Sequence, residues 1–383
     1  MKRAILIVMD GCGAGEAPDA SLFGDSDHPS TIRHVWERAG SLDLPNLRAI
    51  GFLSACGVDL PPTGMDHGLG ARFGRLREVS MGKDSVTGHW EMMGIVTPTA
   101  FPTYPSGFPA NLVEAFETRI GSKVLGNKPA SGTAIITELG SEHVSTGYPI
   151  LYTSADSVFQ VACHEEVVPI ERLYEICRIG RDLCVAPNNV QRIIARPFLG
   201  DEQGGFKRTE RRKDYPITAP PNLVDQLGDV YGIGVVPELF GGRGFRQVHR
   251  TQNNSEHESV LWSALESDAR FVFANFEDFD MLYGHRNDPM GFAKALVAFD
   301  TSLGKVLSRL SSDDVLLITA DHGNDPTTVS TDHSREYVPL CAVRHGLATR
   351  SVGDLEGMTT VGATVAAHLG VAWSMHGAPI DLS

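Results

Sequence analysis

The chain is 383 residues long, 42% hydrophobic, and carries a formal net charge of -14. Such a length supports a sizeable core and more than one domain. The acidic balance excludes generic nucleic-acid binding, which needs a broad basic surface, and leaves anionic small molecules as ligands only where basic residues cluster.

The N-terminal "MKRAILIVMDG" holds a six-residue apolar run that stops at Asp10. With no small-residue cleavage site behind it, the run reads as a buried strand rather than a signal peptide. No stretch approaches the ~20 apolar residues of a membrane span, so a cytoplasmic protein without membrane contact is expected. The six cysteines are scattered with no CxxC pair, which fits reduced thiols rather than a disulfide framework. Cys177 and Cys184 fall on the apolar face of a predicted helix, "ERLYEICRIGRDLCV", as small core residues.

Positions 82–91 read "GKDSVTGHWE", too small and polar for a buried strand or an amphipathic helix. Gly82 and Gly88 permit close backbone approach, and a helix beginning after this loop would aim N–H groups at an anion. On this stretch alone Ser85 reads equally well as a helix cap or as an activated nucleophile.

Two Pro-rich segments, "FPTYPSGFP" (101–109) and "PITAPPN" (216–222), read as hinges, because proline restricts the backbone and interrupts regular structure. The expected organisation is a core of 1–100 plus 222–383, with a second domain, 101–221, inserted through the hinges. Within the insertion, "YTSADSVFQ" supplies Ser154 and Asp156 as hydrogen-bonding groups for sugar hydroxyls. Arg196 in "RPFLG" and the run "FKRTERRKDY", with Lys207, Arg208, Arg211, Arg212 and Lys213, concentrate positive charge. Arginines there suit phosphate, although most residues of such a run belong to a solvated face. "GNKPASGT" (126–133) is a Gly/Pro loop without the pattern of a Walker motif.

The last third repeats the grammar of the first strand. "RFVFANFEDFD" runs to Asp280 and "DVLLITADH" to Asp321 and His322, each an apolar run closed by carboxylates. Between them Asp288 and Pro289 open a helix whose apolar residues, from Phe292 to Leu310, recur at helical spacing, giving the βαβ pattern of a parallel sheet. Ligands bind beyond the carboxyl ends of such strands. With His285 in "LYGH" and His333 in "STDH", the acid-tipped ends offer three carboxylates and three imidazoles. That set suits divalent manganese, zinc or iron. Six ligands exceed what one open catalytic ion takes and match two ions of three each, the arrangement that clamps both oxygens of a phosphoryl displacement. Taken singly, an Asp at a strand end is more often a cap or turn residue than a ligand, and it is the combination that points to metal.

Together "VMDGCGAGEAPDA", "GKDSVTGHWE", "GNKPASGT", "YTSADSVFQ", "HEEVVP", "ARPFLG", "DFDMLYGHRNDP" and "TADHGNDPTTVSTDHSREYVPL" resemble, in order and over nearly the whole chain, the phosphopentomutases of the alkaline phosphatase superfamily. The resemblance implies an α/β fold: an alkaline-phosphatase-like core with a central, mostly parallel sheet and an inserted α+β cap. It implies two Mn2+ ions, one held by Asp10, Asp321 and His322, the other by Asp280, His285 and His333. It implies interconversion of α-D-ribose 1-phosphate and D-ribose 5-phosphate, and of the deoxyribose phosphates. The implied route passes through a phosphorylated Ser85 and a sugar bisphosphate, with glucose 1,6-bisphosphate as primer. Substrate contacts fall on Ser154, Asp156, Arg196, Arg212 and Arg208. A monomer acting on a phosphosugar, without nucleic-acid or membrane partners, is expected. Two positions depart from the family pattern. Ser85 stands where those relatives carry threonine, and Val235 where they often carry lysine, so that Arg243 or Arg246 supplies the charge or substrate handling differs. The alternatives are a metal-dependent phosphomonoesterase, a mutase of another phosphosugar, and a silent binding protein on the same fold.

Overall fold

The computed structural model describes all residues except 1, 67, 155 and 156. The chain divides into two compact units, Met1–Ala100 with Ala219–Ser383, and Phe101–Thr218. In chain order the first unit contributes β1 (Arg3–Met9) and β2 (Leu69–Arg77). The second contributes β3 (Leu125–Pro129), β4 (Ile150–Thr153), β5 (Val158–His164), β6 (Arg192–Asp201), β7 (Gly205–Arg208) and β8 (Lys213–Pro216). The first unit then resumes with β9 (Val230–Ile233), β10 (Phe245–His249), β11 (Phe271–Phe276), β12 (Asp314–Thr319), β13 (Val338–His345) and β14 (Arg350–Glu356).

The first unit is an eight-stranded sheet in the order β10-β9-β11-β1-β12-β13-β2-β14. From β10 through β12 every neighbouring pair is parallel; β13 then pairs antiparallel with both β12 and β2. Strands β11 and β12 are buried along their whole length, in keeping with their near-continuous apolar runs. The helix Pro289–Leu307 buries Phe292, Leu296, Phe299, Leu303 and Val306. It starts where the sequence signals it, with Asp288 Oδ1 accepting from the Gly291 N–H at 2.8 Å.

Parallel strands finish at the same edge of a sheet, so their carboxyl ends converge. Met9 lies opposite Phe276 and Val8 opposite Thr319, and continuing both registers sets Asp10 level with Glu277 and Asp321. One expected strand is shorter than the sequence suggests. β11 stops at Phe276, and Asp280 sits on a single π-helical turn, Phe279–Tyr283, followed by a 3-10 turn, Gly284–Arg286, that carries His285. The charged "ED" after Phe276 has no place in a doubly buried strand, and such π turns recur at functional sites.

The unit Phe101–Thr218 is a mixed sheet, β3-β4-β5-β6-β7, with β8 beside β6. Parallel and antiparallel pairs alternate along it. Helices Ala110–Ile120 and Ile170–Leu183 bury Phe116, Leu173, Ile176 and Cys177 against Phe159 and Ile193. Helix Gly132–Thr146 packs Ile135 and Ile136 against Ile150, Tyr152 and Phe198. All six thiols are buried and unpaired, so Cys177 and Cys184 are core residues. Among the described residues no helix is long and apolar enough to cross a membrane.

Candidate active site

Ser85 opens the helix Ser85–Met92, and the cap belongs to its neighbour. Asp84 Oδ1 accepts from Val86 N and Thr87 N at 3.0 and 3.2 Å. The Thr87 hydroxyl is buried and donates to Asp84 Oδ2 at 2.7 Å, which leaves Ser85 as the available hydroxyl of the stretch. Ser85 Oγ stands 3.1 Å from His322 Nε2. Gly88 makes this approach possible: a Cβ there would overlap the Asp321 backbone. The glycine thus serves close packing of helix on strand end, not contact with an anion.

The six proposed ligands gather at the carboxyl edge of the sheet. Asp10 Oδ1 and Asp321 Oδ2 lie 3.5 and 3.3 Å from His322 Nε2. Asp280 Oδ2 is 3.1 Å from His285 Nε2, and Asp280 Oδ1 is 3.5 Å from His333 Nε2. The His322 and His333 rings stack with centroids 3.8 Å apart. Asp10, Asp321 and His322 form one group, and Asp280, His322 and His333 another, with ligand atoms in each within 4.8 Å of one another. His322 therefore stands between the two sets.

This arrangement fits cations. The His285 Nδ1–H donates to Thr331 O at 2.7 Å and the His322 Nδ1–H to Gly323 O at 3.2 Å, so each ring turns its Nε2 lone pair inward. His285 and His333 face each other Nε2 to Nε2 at 3.2 Å, a contact that a proton or a metal must mediate. Asp10 Oδ1 and Asp321 Oδ2 are buried and accept no hydrogen bond among the described residues. Burial, then the Asp321 and Asp280 carboxylates, push the Asp10 carboxyl well above its ordinary range. Burial opposes charge on His333 too, but the Asp280 carboxylate outweighs it and pushes the ring up to about 9. Stacked negative charge with unsatisfied oxygens is what divalent ions relieve.

Sequence reasoning missed the groups that aim these ligands. Asn275 Nδ2 donates to Asp10 Oδ2 and Asn324 Nδ2 to Asp280 Oδ1, both at 2.6 Å, and Gly11 N donates to Asp321 Oδ1 at 3.1 Å. Asn275 is buried in a strand that is otherwise apolar, "FVFANF", and that single polar residue was the available signal.

In the unit Phe101–Thr218, Ser154, Arg196, Arg208 and Arg212 line one cavity of 280 Å3. Arg192, Gln160, Ser131 and Gly132 line it too, and were not anticipated. Asp156 lies outside the described residues. Arg196 Nε donates to Gln160 Oε1 at 3.0 Å, while Arg212 pairs with Asp214 at 2.6 Å. Burial and then the Arg212 guanidinium push the Arg196 pKa down, the mark of crowded positive charge. Ser131 caps the helix Gly132–Thr146, accepting from Ala134 N at 3.2 Å, so this helix starts at the cavity wall. A Cβ at Gly132 would overlap the Arg208 guanidinium and the Tyr152 hydroxyl, which explains the glycine in "PASGT". Four arginines and a helix N-terminus line this cavity, a lining whose chemistry suits an anion.

At the second departure from the family pattern, Val235 N donates to Glu277 Oε1 at 2.6 Å. Burial pushes the Glu277 carboxyl up to about 7. Arg243 pairs with Asp225 at 2.8 Å, and Arg246 with Asp229 and Asp268 at 2.7 and 2.6 Å, so both are engaged in exposed ion pairs.

Comparison with known proteins identifies the family. Residues 2–373 match the model of the metalloenzyme superfamily. The phosphopentomutase of Dictyoglomus thermophilum is 48% identical, over 98% of this chain and 97% of that protein. The phosphopentomutase of Carboxydothermus hydrogenoformans is 48% identical, over 95% of each. Among solved structures, the PH0037 protein of Pyrococcus horikoshii superposes with a TM-score of 0.51 at 15% identity, covering 98% of this chain and 99% of that one, a likeness of fold. The superfamily match, with a carboxylate–imidazole cluster that could hold divalent ions, defines a metal-dependent enzyme. Within that class, the chain belongs to the phosphopentomutase family.

Proposed function

We propose that this enzyme interconverts α-D-ribose 1-phosphate and D-ribose 5-phosphate, and their deoxyribose counterparts, by two phosphoryl transfers through Ser85. The observation that carries the route is Ser85 Oγ, at the start of a helix capped by Asp84, facing His322 Nε2 at 3.1 Å. Asp10, Asp321 and His322 would hold one divalent ion, and Asp280, His285 and His333 the other. Hard carboxylates with imidazoles suit manganese, zinc or iron, and manganese is the ion proposed here. When bound, the ions supply charge to the phosphoryl oxygens and lower the pKa of the hydroxyls beside them.

The cycle starts with phosphate on Ser85, placed there by glucose 1,6-bisphosphate or a similar primer. A pentose monophosphate presents its free hydroxyl. The P–O bond to Ser85 breaks, a P–O bond to the sugar forms, and the hydroxyl proton passes, in net terms, to Ser85 Oγ. The bisphosphate then reverses in the site and returns its other phosphate to Ser85, releasing the isomer. The N-terminus of the Ser85–Met92 helix stabilises the anion on Ser85. Asn275, Asn324 and Gly11 keep the carboxylates aimed, so the reaction meets charges that need no rearrangement. Arg192, Arg196, Arg208 and Arg212 hold the phosphate not in transfer, with Ser154 and Asp156 on the sugar. A mutase must also exclude water from the phosphoserine, the task proposed for the inserted unit as a lid. Six buried, unpaired thiols support a reducing, cytoplasmic setting, and a monomer suffices for this chemistry.

Phosphorus NMR with ribose 1-phosphate, with and without glucose 1,6-bisphosphate, tests the reading. Ribose 5-phosphate should accumulate, faster with the primer, and outrun free phosphate. Phosphate release as fast as isomerisation would replace the mutase with a phosphatase.

A further inference from the structure

Arg335 follows the proposed ligand His333 by two residues, and its side chain is 1% exposed. The guanidinium makes two kinds of contact. It pairs with carboxylates: Nε and Nη2 with Asp19 at 3.2 and 2.9 Å, and Nη1 with Glu78 at 2.6 Å. It also donates to three carbonyls of the segment that leads into Ser85. Nη2 reaches Glu78 O at 2.6 Å, and Nη1 reaches Ser80 O and Gly82 O at 2.9 and 2.6 Å.

The other edge of that segment is held by the opposite charge. The buried Glu91 carboxylate accepts from Val79 N at 3.0 Å and Ser80 N at 2.6 Å, and from Met358 N at 2.8 Å. A second tie runs beside the first. Lys83 Nζ pairs with Asp25 Oδ1 at 3.0 Å and Asp332 Oδ2 at 3.5 Å, while Asp25 Oδ2 accepts from Arg335 N at 2.6 Å. The loop that carries His333 is thus bonded at residues 332 and 335 to the loop that carries Ser85, at residues 80, 82 and 83.

A buried ion pair by itself contributes little net stability, because desolvation offsets the attraction. What a satisfied guanidinium does provide is geometry, since its planar fork spans acceptors that no point charge reaches together. We infer that Arg335 is a positioning residue for phosphoryl transfer: acting through the Ser80 and Gly82 carbonyls, and assisted by Lys83, it fixes the Ser85 hydroxyl against the His333 ligand loop. The inference rests on Ser85 being the phosphoryl carrier. Arg335→Lys keeps the charge but cannot reach Asp19, Glu78 and both loop carbonyls at once. Displacing a nucleophile by about an ångström costs on the order of a hundredfold in rate.

The test uses the full-length, manganese-loaded enzyme as wild type, Arg335→Lys and Lys83→Met. It measures kcat and KM for ribose 1-phosphate, phosphate on Ser85 after glucose 1,6-bisphosphate, and Tm. Arg335→Lys should lower kcat about a hundredfold with KM within about threefold, and slow labelling of Ser85 in step. Lys83→Met, which leaves the buried guanidinium paired, should shift kcat in the same direction by a smaller factor and decides the matter if the arginine variant does not fold. A lower Tm with wild-type kcat and labelling in a folded variant would make these ties merely structural and overturn the inference. Turnover without any label on wild-type Ser85 would instead remove the parent reading.

Discussion

Ser85 Oγ lies 3.1 Å from His322 Nε2, and the helix behind the serine is capped by Asp84. The capping work is therefore already done by the carboxylate one residue earlier, and the serine hydroxyl is directed at the proposed metal ligands. Ser85→Ala should abolish both isomerisation and phosphate incorporation from glucose 1,6-bisphosphate. Ser85→Thr should keep part of each, because the hydroxyl remains. Mass spectrometry of the labelled peptide checks this, and wild-type turnover by the alanine variant would end the nucleophile assignment.

Two ligand groups meeting at His322 lead to an expectation about stoichiometry. The purified protein should bind two divalent ions, with manganese giving the highest turnover. Asp321→Ala, which removes a buried ligand oxygen and the acceptor for Gly11 N, should lower occupancy and reduce turnover to background. Elemental analysis beside an activity assay measures both, and full activity in excess chelator would defeat the two-ion scheme.

The arginine cavity carries its own test. If the cavity holds the phosphate not in transfer, as proposed, Arg196→Ala and Arg212→Ala each remove charged hydrogen bonds to it, worth about 1.5–3 kcal/mol. KM for ribose 5-phosphate should rise roughly ten- to a hundredfold, with Ser85 labelling by acetyl phosphate, which has no second phosphate to place, much less affected. Equal losses with both donors would mean that the arginines support folding rather than phosphate binding.

His257 gives a pH dependence of stability independent of the reaction. Its side chain is fully buried, and desolvation pulls the ring from 6.5 down to about 4. A base whose pKa falls on folding stabilises fully above its unfolded value and loses that stability as pH drops through the folded value. The contribution is thus complete above pH 6.5 and is lost between 6.5 and 4, amounting to about 3 kcal/mol. Thermal melts across that range should show a steeper acid loss for wild type than for His257→Asn. Parallel curves would show that the ring protonates as easily in the folded chain as in the unfolded one.

The sequence by itself determined the acid-tipped apolar runs, the helix opened by Asp288 and Pro289, and the core placement of Cys177 and Cys184. Each follows from local pattern: burial on both faces demands near-continuous apolar residues, a cap demands a short polar side chain, and the charged tips stand out against both. It also carried the family, because the motifs keep their order, and all but a few of their residues, over nearly the whole chain. What it could not determine is which groups share space. Asn275 and Asn324 lie 265 and 44 residues from the carboxylates they support, and only strand pairing and the folding of the loops bring them there. The end of β11 was likewise decided by the tertiary structure, since the charged residues after Phe276 leave the sheet for a π turn that delivers Asp280. The choice between cap and nucleophile at Ser85 shows the same division. Both roles need a small hydroxyl at the start of a helix, and only the folded chain places Asp84 in the one and turns Ser85 toward His322.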